Sequence, residues 1–337
     1  MAGSVNTPPN KDIRWEKTTT VNVGVDFALF RHRLSGTIEY YNKYSVDLLA
    51  AINGSPTQGF GYTTLMTNNG KMVNRGVEIT LSGEIIRQKD FSWNASLLYA
   101  FNRNKVKHIS VQPSLWDSRI SMPTSYPMVG KPLYGIYAYK WAGLNENGDP
   151  QVYDAENNVT SGPARDYHAL VYCGTTVPIH NASLTNVLRY KGFEFSAMLI
   201  LDAGHKLRSS NIPSINMSNG RITSTAKGIV DRWTQPGDVT DVPRLLFSND
   251  TENFNTHRTE LYRYSDLFVY DASNIRLSNI SLAYRVPAHW CKKISLSGAR
   301  LQFNVENVAT FAFDSKANYD LGGKMKPNYV WGLYLNF

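Results

Sequence analysis

Residues 329–337 read Tyr-Val-Trp-Gly-Leu-Tyr-Leu-Asn-Phe, and this stretch decides the fold class. Its large apolar side chains occupy every second position, which places them on one face of a β-strand. In water, such a strand at a chain terminus invites aggregation. In lipid, where every backbone group needs an internal hydrogen-bond partner, the strand suits a β-barrel. The stretch predicts a membrane strand, provided that the rest of the chain repeats the pattern.

The same two-residue period recurs along the chain. Further alternating segments cover residues 19–29, 34–41, 73–85, 91–102, 184–190, 193–201, 274–286 and 299–307. Their lengths are close to the roughly 9–11 residues that a tilted strand needs to cross a bilayer. In the segment 73–85, the apolar row is expected to run from Val73 to Ile85. In the segment 274–286, the alternation changes phase at Ser278 and Asn279, which predicts a β-bulge. We expect an all-β chain of about eight to ten antiparallel transmembrane strands.

Short polar turns alternate with long irregular segments between these strands. The short turns cover residues 31–33, 87–90, 191–192 and 287–292, and the long segments cover 45–72, 104–182, 204–273 and 308–328. This alternation is typical of outer-membrane barrels, which have short periplasmic turns and long extracellular loops. Residues 133–144 are strand-like too, but a crossing there would break the alternation. They are therefore predicted to belong to an outer loop, or to form an extra hairpin with residues 151–154.

The charge pattern argues against a nucleic-acid partner. The chain has 35 Lys and Arg residues against 27 Asp and Glu, a net charge of +8, but the basic residues are scattered through turns and loops. A nucleic-acid surface would need a basic run or a basic patch interleaved with aromatic residues, and neither occurs. The partners expected for these scattered charges are outer-membrane lipid, anionic lipopolysaccharide and solvent.

The two cysteines fall at opposite ends of the predicted barrel. Cys173 lies in an outer loop, whereas Cys291 lies in an inner turn. A disulfide needs Cα atoms within about 7 Å of each other, so these two should not pair.

Sequence signals for catalysis are absent. The seven histidines are dispersed without the spacing of a zinc site, and no nucleophile elbow, P-loop or dinucleotide fingerprint occurs. The acidic residues Asp238 and Asp241 could suggest a calcium site or a carboxylate dyad. Within the Pro- and Gly-containing loop 236–243, turn-forming aspartates are the favoured interpretation. We expect no enzyme activity, no metal and no cofactor.

Several motifs resemble the SusC/RagA-type TonB-linked outer-membrane receptors of Bacteroidetes. Residues 10–16, Asn-Lys-Asp-Ile-Arg-Trp-Glu, are similar to a family motif that enters a strand. Residues 74–78 (Asn-Arg-Gly-Val-Glu), 232–244 and 274–284 also fit the family. Residues 177–180, Val-Pro-Ile-His, depart from it, because the family usually has a basic residue and glycines after the proline. Together the motifs extend from about residue 10 to the end of the chain.

The resemblance implies a function and a set of partners. A receptor of this kind imports oligosaccharides or peptides through the outer membrane, together with a SusD-like surface lipoprotein. It contacts the TonB complex through N-terminal and plug domains that are missing from this sequence. We expect residues 1–17 to be a lead-in segment and 18–337 to be the C-terminal part of the barrel. The chain is thus expected to be incomplete, and its eight to ten strands to form an open part of a larger barrel of about 22 strands.

The C-terminal strand also looks like the signal by which outer-membrane barrels are recognised for assembly. The terminal aromatic residue and the apolar residues that alternate before it would contact the barrel assembly machinery. The residues expected to carry this signal are Trp331, Leu333, Leu335 and Phe337.

Aromatic and polar groups of the long outer loops are the candidates for contact with substrate or with the lid lipoprotein. They are Tyr134, Tyr137, Tyr139, Trp141, Trp233 and Asp238. For Tyr137, Tyr139 and Trp141, the alternative is that they pack the loop against itself.

A second function, a soluble extracellular all-β module that binds glycans, remains open. The direction of the apolar face separates it from the receptor. A barrel wall exposes this face to lipid, whereas a sandwich buries it between two sheets. The barrel predicts an outward apolar face with Val23, Phe27, Ile79, Leu97, Leu199, Phe303 and Leu333. It predicts a lumen face with Asn22, Asp26, Glu39, Glu78, Asn94 and Glu306.

Overall fold

The computed structural model describes residues 10–53, 64–111, 118–162, 166–217, 226–247, 256–322 and 326–337. Strands dominate the fold, and they are β1 (Lys17–Leu29), β2 (Leu34–Asn53), β3 (Thr64–Arg87), β4 (Phe91–His108), β5 (Gly135–Tyr139), β6 (Trp141–Leu144), β7 (Pro150–Tyr153), β8 (Val159–Thr160), β9 (Leu170–Thr175), β10 (His180–Tyr190), β11 (Phe193–Ala203), β12 (Lys206–Arg208), β13 (Asn216–Met217), β14 (Leu246–Phe247), β15 (Val269–Asp271), β16 (Asn274–Arg285), β17 (Gly298–Ala312) and β18 (Asn328–Asn336). The helices are short, and they are α1 (Ser118–Ser121), α2 (Thr256–Arg263), α3 (Ala288–Lys293) and α4 (Asn318–Leu321).

The long strands form one antiparallel sheet, which confirms the predicted fold class. Within the described residues it has nine strands in the order β1-β2-β3-β4-β10-β11-β16-β17-β18. Each strand of this sheet pairs with its neighbour along the chain or with the next long strand, so the sheet is an uninterrupted meander. Strands β1 and β18 are its two edges, and they do not pair with each other in the described register.

The register places the apolar side chains on one face of this sheet. One row across eight strands contains Phe27, Gly36, Leu81, Leu97, Leu184, Leu199, Leu277 and Ala309. Gly36 lets its neighbours meet, because a Cβ there would lie 2.9 Å from the Phe27 ring and 2.7 Å from the Leu81 side chain. The row immediately beside it, on the other face, contains Asp26, Thr37, Thr80, Leu98, Ser183, Ile200, Arg276 and Thr310. The predicted division into an apolar and a mainly polar face is therefore confirmed.

The apolar face is exposed at the sheet surface, as a barrel wall requires. Val23 on β1 and Leu333 on β18 are each 61% exposed. In a sandwich, side chains at these positions would be buried against a second sheet. The glycan-binding sandwich is thus not supported by the packing of these residues.

Two bulges interrupt the ladders of the long sheet. The predicted bulge at Ser278 is confirmed, since the consecutive β11 residues Met198 and Leu199 pair with Asn279 and Leu277 and leave Ser278 unpaired. A second bulge lies at the end of β3, where Ile86 instead of Ile85 stands opposite Trp93. The bulge leaves Ile85 on the apolar side, because its Cδ1 lies 3.5 Å from the position that a Cβ on Gly83 would take, and Gly83 pairs with Ala95 on that side. The expectation that the apolar row continues to Ile85 is therefore confirmed.

The prediction of an irregular loop over residues 45–72 was wrong in large part. Strands β2 and β3 pair as far as Asn53 and Thr64, beyond the bilayer length. Two register shifts around Leu48 interrupt the alternation, and Asp47 adopts a positive φ of 58°. The alternating pattern is lost there although the backbone pairing continues.

The two ends of the sheet differ as the alternation of connections predicts. At one end, called the short-turn end, the connections are brief, and the longest described one, residues 286–297, contains α3. At the other end, the described parts of residues 109–179 and 204–273 fold together into a unit that we call the cap. Residues 133–144 belong to the cap, where β5 pairs with β9 and β6 forms a hairpin with β7. Their predicted place outside the membrane sheet is confirmed.

The cap has its own hydrophobic core. One buried cluster contains Tyr137, Tyr139, Val152, Ala169, Leu170 and Leu261. A second contains Ile215, Tyr262 and Phe268, and Trp141 packs against both clusters. The long connections are therefore held by side-chain packing. In the described parts of the chain, no helix combines the length and the apolarity that crossing a membrane requires.

Candidate functional site

The polar face of the sheet forms the first part of the candidate site. A cavity of about 310 Å³ opens on this face, lined among others by Glu78, Thr80, Asn181 and Asp202. Thr37 on β2 donates a 2.6 Å hydrogen bond to Asp26 on β1. The Asp202 carboxylate lies 3.5 Å from the guanidinium of Arg276 on β16. These groups make a hydrophilic surface that hydrated or polar molecules can contact.

Some polar atoms of this face are buried without a hydrogen-bond partner among the described residues. They are Asn74 Oδ1, Asn102 Oδ1 and Arg276 Nε. Buried polar atoms in folded proteins are almost always paired, so unpaired ones are places where a further segment, a molecule or water can bind. The predicted lumen residues Glu39 and Glu78 stand directly opposite each other on the same face.

The cap forms the second part, and it contains all six residues predicted to contact substrate or lid. Tyr137 and Tyr139 are each only 1% exposed. The Tyr137 hydroxyl accepts a 3.2 Å hydrogen bond from the backbone N–H of Met128, and its ring lies 5.8 Å from the Arg119 guanidinium carbon. Burial raises the pKa of Tyr137, so its hydroxyl stays protonated at neutral pH. These contacts favour the alternative that both tyrosines pack the cap, and a direct contact with substrate stays a prediction.

Trp141 is half-buried and links three parts of the cap. Its indole Nε1 donates to Asp241 at 3.0 Å, and its backbone N–H donates to Asp266 at 2.9 Å. The ring centroid lies 5.9 Å from that of Tyr262. Because Trp141 is only half-buried, packing and ligand contact are both compatible with this position.

Trp233 and Asp238 lie together in one loop of the cap. The Asp238 carboxylate accepts hydrogen bonds from Thr234 N and Oγ1, both at 2.8 Å, and from Gln235 N at 3.0 Å. These bonds, the Thr234 backbone N–H first, lower the pKa of Asp238. Trp233 covers Gly148, where a Cβ would lie 2.4 Å from the indole.

Asp238 and Asp241 have separate partners, because Asp241 binds Trp141. In the described residues, no group of three His, Cys, Asp or Glu side chains is arranged to hold a metal ion.

Tyr134 differs from the other candidates for contact with substrate or lid, since it is well exposed near the rim of the cap.

A buried arginine, Arg258, and a partly buried one, Arg208, hold the cap together, and sequence reasoning missed both. Arg258 on α2 donates to Asp149 Oδ1 at 3.1 Å, to Asn216 Oδ1 at 2.8 Å and to the carbonyls of Ile215 and Arg244. Arg208 on β12 donates to the carbonyl of Tyr137 at 2.7 Å. Their partners are distant in sequence, so no local pattern could have predicted these contacts.

The remaining sequence predictions concern the ends of the barrel wall. Trp331, Leu333, Leu335 and Phe337 are exposed on the edge strand β18 and at the terminus, and their role in assembly stays a prediction. Cys173 in β9 and Cys291 in α3 are both free, as expected from their positions at opposite ends. Burial raises the pKa of the Cys173 thiol to about 11, which leaves it protonated and unreactive at neutral pH.

A sheet with one exposed apolar face, short turns at one end and a folded cap at the other defines part of a transmembrane β-barrel. Sequence comparison agrees with this class. Residues 1–308 match the family model for the TonB dependent receptor-like β-barrel. The chain therefore belongs to the TonB-dependent receptor β-barrel family.

Individual relatives support the resemblance to the SusC/RagA type. TonB-dependent receptor P3 of Formosa agariphila is 25% identical over 346 residues, which cover 96% of this chain and 33% of that protein. TonB-dependent receptor SusC of Bacteroides thetaiotaomicron is 25% identical over 312 residues, covering 88% of this chain and 29% of SusC. The chain spans about a third of the length of the curated relatives that it matches.

A solved structure supports the fold. The RagAB peptide transporter superposes with a TM-score of 0.75 at 23% identity, covering 99% of this chain and 37% of that one. At this level of identity the likeness establishes the fold alone.

Proposed function

We propose that this chain forms part of the barrel wall of an outer-membrane receptor that imports oligosaccharides or peptides. The observation that carries the proposal is the nine-stranded sheet, with its apolar side chains on one face and its polar side chains on the other. Such a wall can face lipid with one side and a hydrophilic pathway with the other. We infer no catalytic role, since transport needs only binding and passage along this pathway.

The cap supports the further proposal of a SusD-like lipoprotein partner. It is a folded unit with a core of its own, and it lies at the end of the sheet where the connections are long. Tyr134, Trp141, Trp233 and Asp238 are proposed to contact the substrate or this partner, and Tyr137 and Tyr139 to position them. The partner would bind the cap from outside the cell, on the side opposite to the short turns.

The unpaired edges support the proposal that residues 18–337 are the C-terminal part of a larger barrel. Each edge strand has a partner on one side only among the described residues. Strands contributed by other parts of a receptor would satisfy both edges, and contact with the TonB complex would occur through those parts. The exposed residues Trp331, Leu333, Leu335 and Phe337 are proposed to bind the barrel assembly machinery before β18 is paired.

Deletion of the gene that encodes these residues tests the import function. The deletion strain should lose growth on either a peptide digest or an oligosaccharide mixture as the limiting nutrient, and the intact gene should restore it. Antibodies against the cap should detect the protein in the outer-membrane fraction and co-precipitate a surface lipoprotein. Normal growth of the deletion strain on both nutrient classes would contradict the proposed function.

A further inference from the structure

A second cavity lies where the cap meets the extended hairpin of β2 and β3. Its volume is about 440 Å³, within the range of about 300–1,000 Å³ that is usual for small-molecule sites. Leu48, Met72 and Val106 line its wall. The register places Met72 opposite Val106, on the same side of the sheet as Asn74 and Glu78. The cavity therefore opens towards the polar face, at the cap end of the wall.

A segment of the cap roofs this cavity and is fixed to the wall. Val106 donates a 2.9 Å backbone hydrogen bond to Lys131, and Gly130 donates a 2.8 Å bond back to Val106. Leu133 N donates to the Asn104 side chain at 2.8 Å. The Tyr137 hydroxyl holds the same segment through Met128. These bonds fix the position of the roof relative to the wall.

The lining identifies the kind of group that fits. Leu48, Leu49, Met66, Met72, Val106 and Leu133 provide aliphatic and thioether surface. Among the described lining residues none is Phe, Tyr or Trp, the large aromatic side chains that would offer a sugar the best stacking surface. Methionine side chains adapt to apolar groups of different shapes. The interior thus suits an apolar side chain better than a carbohydrate.

Exposed polar side chains stand at the rim of the same cavity. Lys71 and His108 occupy opposite positions on β3 and β4. Glu16 also lines the cavity and accepts a 2.8 Å hydrogen bond from Leu49 N. A peptide carries an amino group, a carboxylate and amides that such a rim can bind, whereas a neutral oligosaccharide carries no charge.

We propose that this cavity binds an apolar side chain of a peptide substrate. The inference rests on the proposed import function and deepens it, because it selects peptides over oligosaccharides. Transfer of a Leu- or Met-sized side chain from water into such a lining favours peptides that carry one. We expect peptides with such a side chain to bind about tenfold more tightly than peptides with only polar side chains. This ratio corresponds to about 1.4 kcal/mol of binding free energy.

The test uses the complete receptor, purified with its partner from the outer membrane. A tryptic digest of serum albumin and a neutral starch hydrolysate are passed over the immobilised complex, and retained molecules are identified by mass spectrometry. The retained fraction should be enriched about tenfold in peptides that contain Leu, Met, Ile or Phe, relative to peptides of the digest that contain none of them. Retention of the oligosaccharides alone would overturn the peptide cavity and leave the import function standing. Retention of peptides without this enrichment would also overturn the cavity.

Two variants and a matched control test whether this cavity causes the enrichment of apolar peptides. Met66→Asp places a charge at the cavity, and Thr124→Trp fills it from the roof. Met122→Asp is the control, because Met122 is exposed to a similar degree, 47% against 44% for Met66, but is not part of the lining. Both cavity variants should lose the enrichment while the control keeps it. If the control loses it equally, or if both cavity variants keep it, the assignment of the cavity is wrong. A failed proposal for import would instead appear as unimpaired growth of the deletion strain.

Discussion

At the scale of single residues, the cap depends on buried guanidinium groups. The side chain of Arg258 is 3% exposed and pairs with Asp149, which also binds Arg244 at 2.8 Å. Burial lowers the pKa of Arg258, but the guanidinium remains charged because its normal pKa is so high. Such a group connects segments that have little regular secondary structure, since one side chain satisfies several carbonyl oxygens.

Arg258→Ala should destabilise the cap by about 1–3 kcal/mol, because it leaves buried carbonyls and a partly buried carboxylate with fewer hydrogen-bond partners. Arg263→Ala is the control, as Arg263 lies on the same helix but is exposed. Its replacement should change stability by less than about 0.5 kcal/mol. Thermal unfolding of the receptor, followed by protease cleavage within the cap, measures both. Equal protease resistance of the two variants would show that the Arg258 contacts contribute little.

Asp238 gives the surface loop of Trp233 a dependence on pH. Its pKa is lowered in the folded protein by the Thr234 backbone N–H first, then by the Thr234 hydroxyl and the Gln235 N–H. A lowered folded pKa means that the stabilisation is present above the unfolded pKa, about 3.9, and is lost as the pH falls through the folded value. The amides of Thr234 and Gln235 should therefore be protected from hydrogen exchange at pH 6 and lose protection below about pH 4.

Asp238→Asn should remove this pH dependence and reduce protection already at pH 6. Protection factors, which correct for the intrinsic effect of pH on exchange, provide the measurement. Asp231→Asn in the same loop is the control, because the bond of Asp231 to Thr240 is accepted by its backbone carbonyl, which the substitution leaves in place. If protection of the Thr234 and Gln235 amides changes with pH to the same extent in the Asp238→Asn protein as in the wild type, this carboxylate is not the cause.

At the scale of secondary-structure elements, two consecutive residues of β4 separate the faces of the wall. Leu97 lies between Leu81 and Leu184 in the apolar row. Leu98 lies between Thr80 and Ser183 in the polar row and is 52% exposed. A charge on the lipid side must be buried in hydrocarbon, whereas a charge on the lumen side remains in water.

Leu97→Arg should reduce insertion of the complete receptor into the outer membrane, at a cost of about 2–4 kcal/mol if the position is near the middle of the bilayer. Leu98→Arg, one residue further, should insert normally. Quantitative immunoblots of the outer-membrane fraction compare the two variants. Equal amounts of the Leu97→Arg and wild-type proteins would be inconsistent with a lipid-facing Leu97.

The same elements show what could be predicted from the sequence. Alternation identified the apolar row because every second side chain of a strand meets the same environment. It failed over residues 45–72, where register shifts around Leu48 change the face without ending the pairing. The fold of the cap could not be predicted from local sequence patterns, since its contacts join residues that are far apart in the sequence, such as Trp141 and Asp266. Two of the predicted contact residues, Tyr137 and Tyr139, carry aromatic groups that are common both in binding sites and in cores, and only the fold shows that they are buried.

At the scale of the whole molecule, the number of strands decides whether the sheet can close. The described residues contribute nine strands to an antiparallel sheet. With an odd number, the first and last strands run in the same direction, so closure between β1 and β18 would need a parallel pair. Bacterial outer-membrane barrels of a single chain have even numbers of antiparallel strands. Backbone groups at both edges would remain without partners in lipid, where each unpaired group costs several kcal/mol.

A polypeptide limited to residues 1–337 should therefore fail to form a channel. Expressed by itself with an added export signal, it should aggregate or be degraded, and it should give no defined conductance in planar bilayers. The complete receptor from the same organism, purified in the same detergent, is the control, and its barrel should migrate differently in gels before and after heating. A heat-modifiable monomer of the 337-residue polypeptide with a reproducible single-channel conductance would show that β1 and β18 meet after all. Such a result would require a change in the direction or number of strands relative to the nine described here.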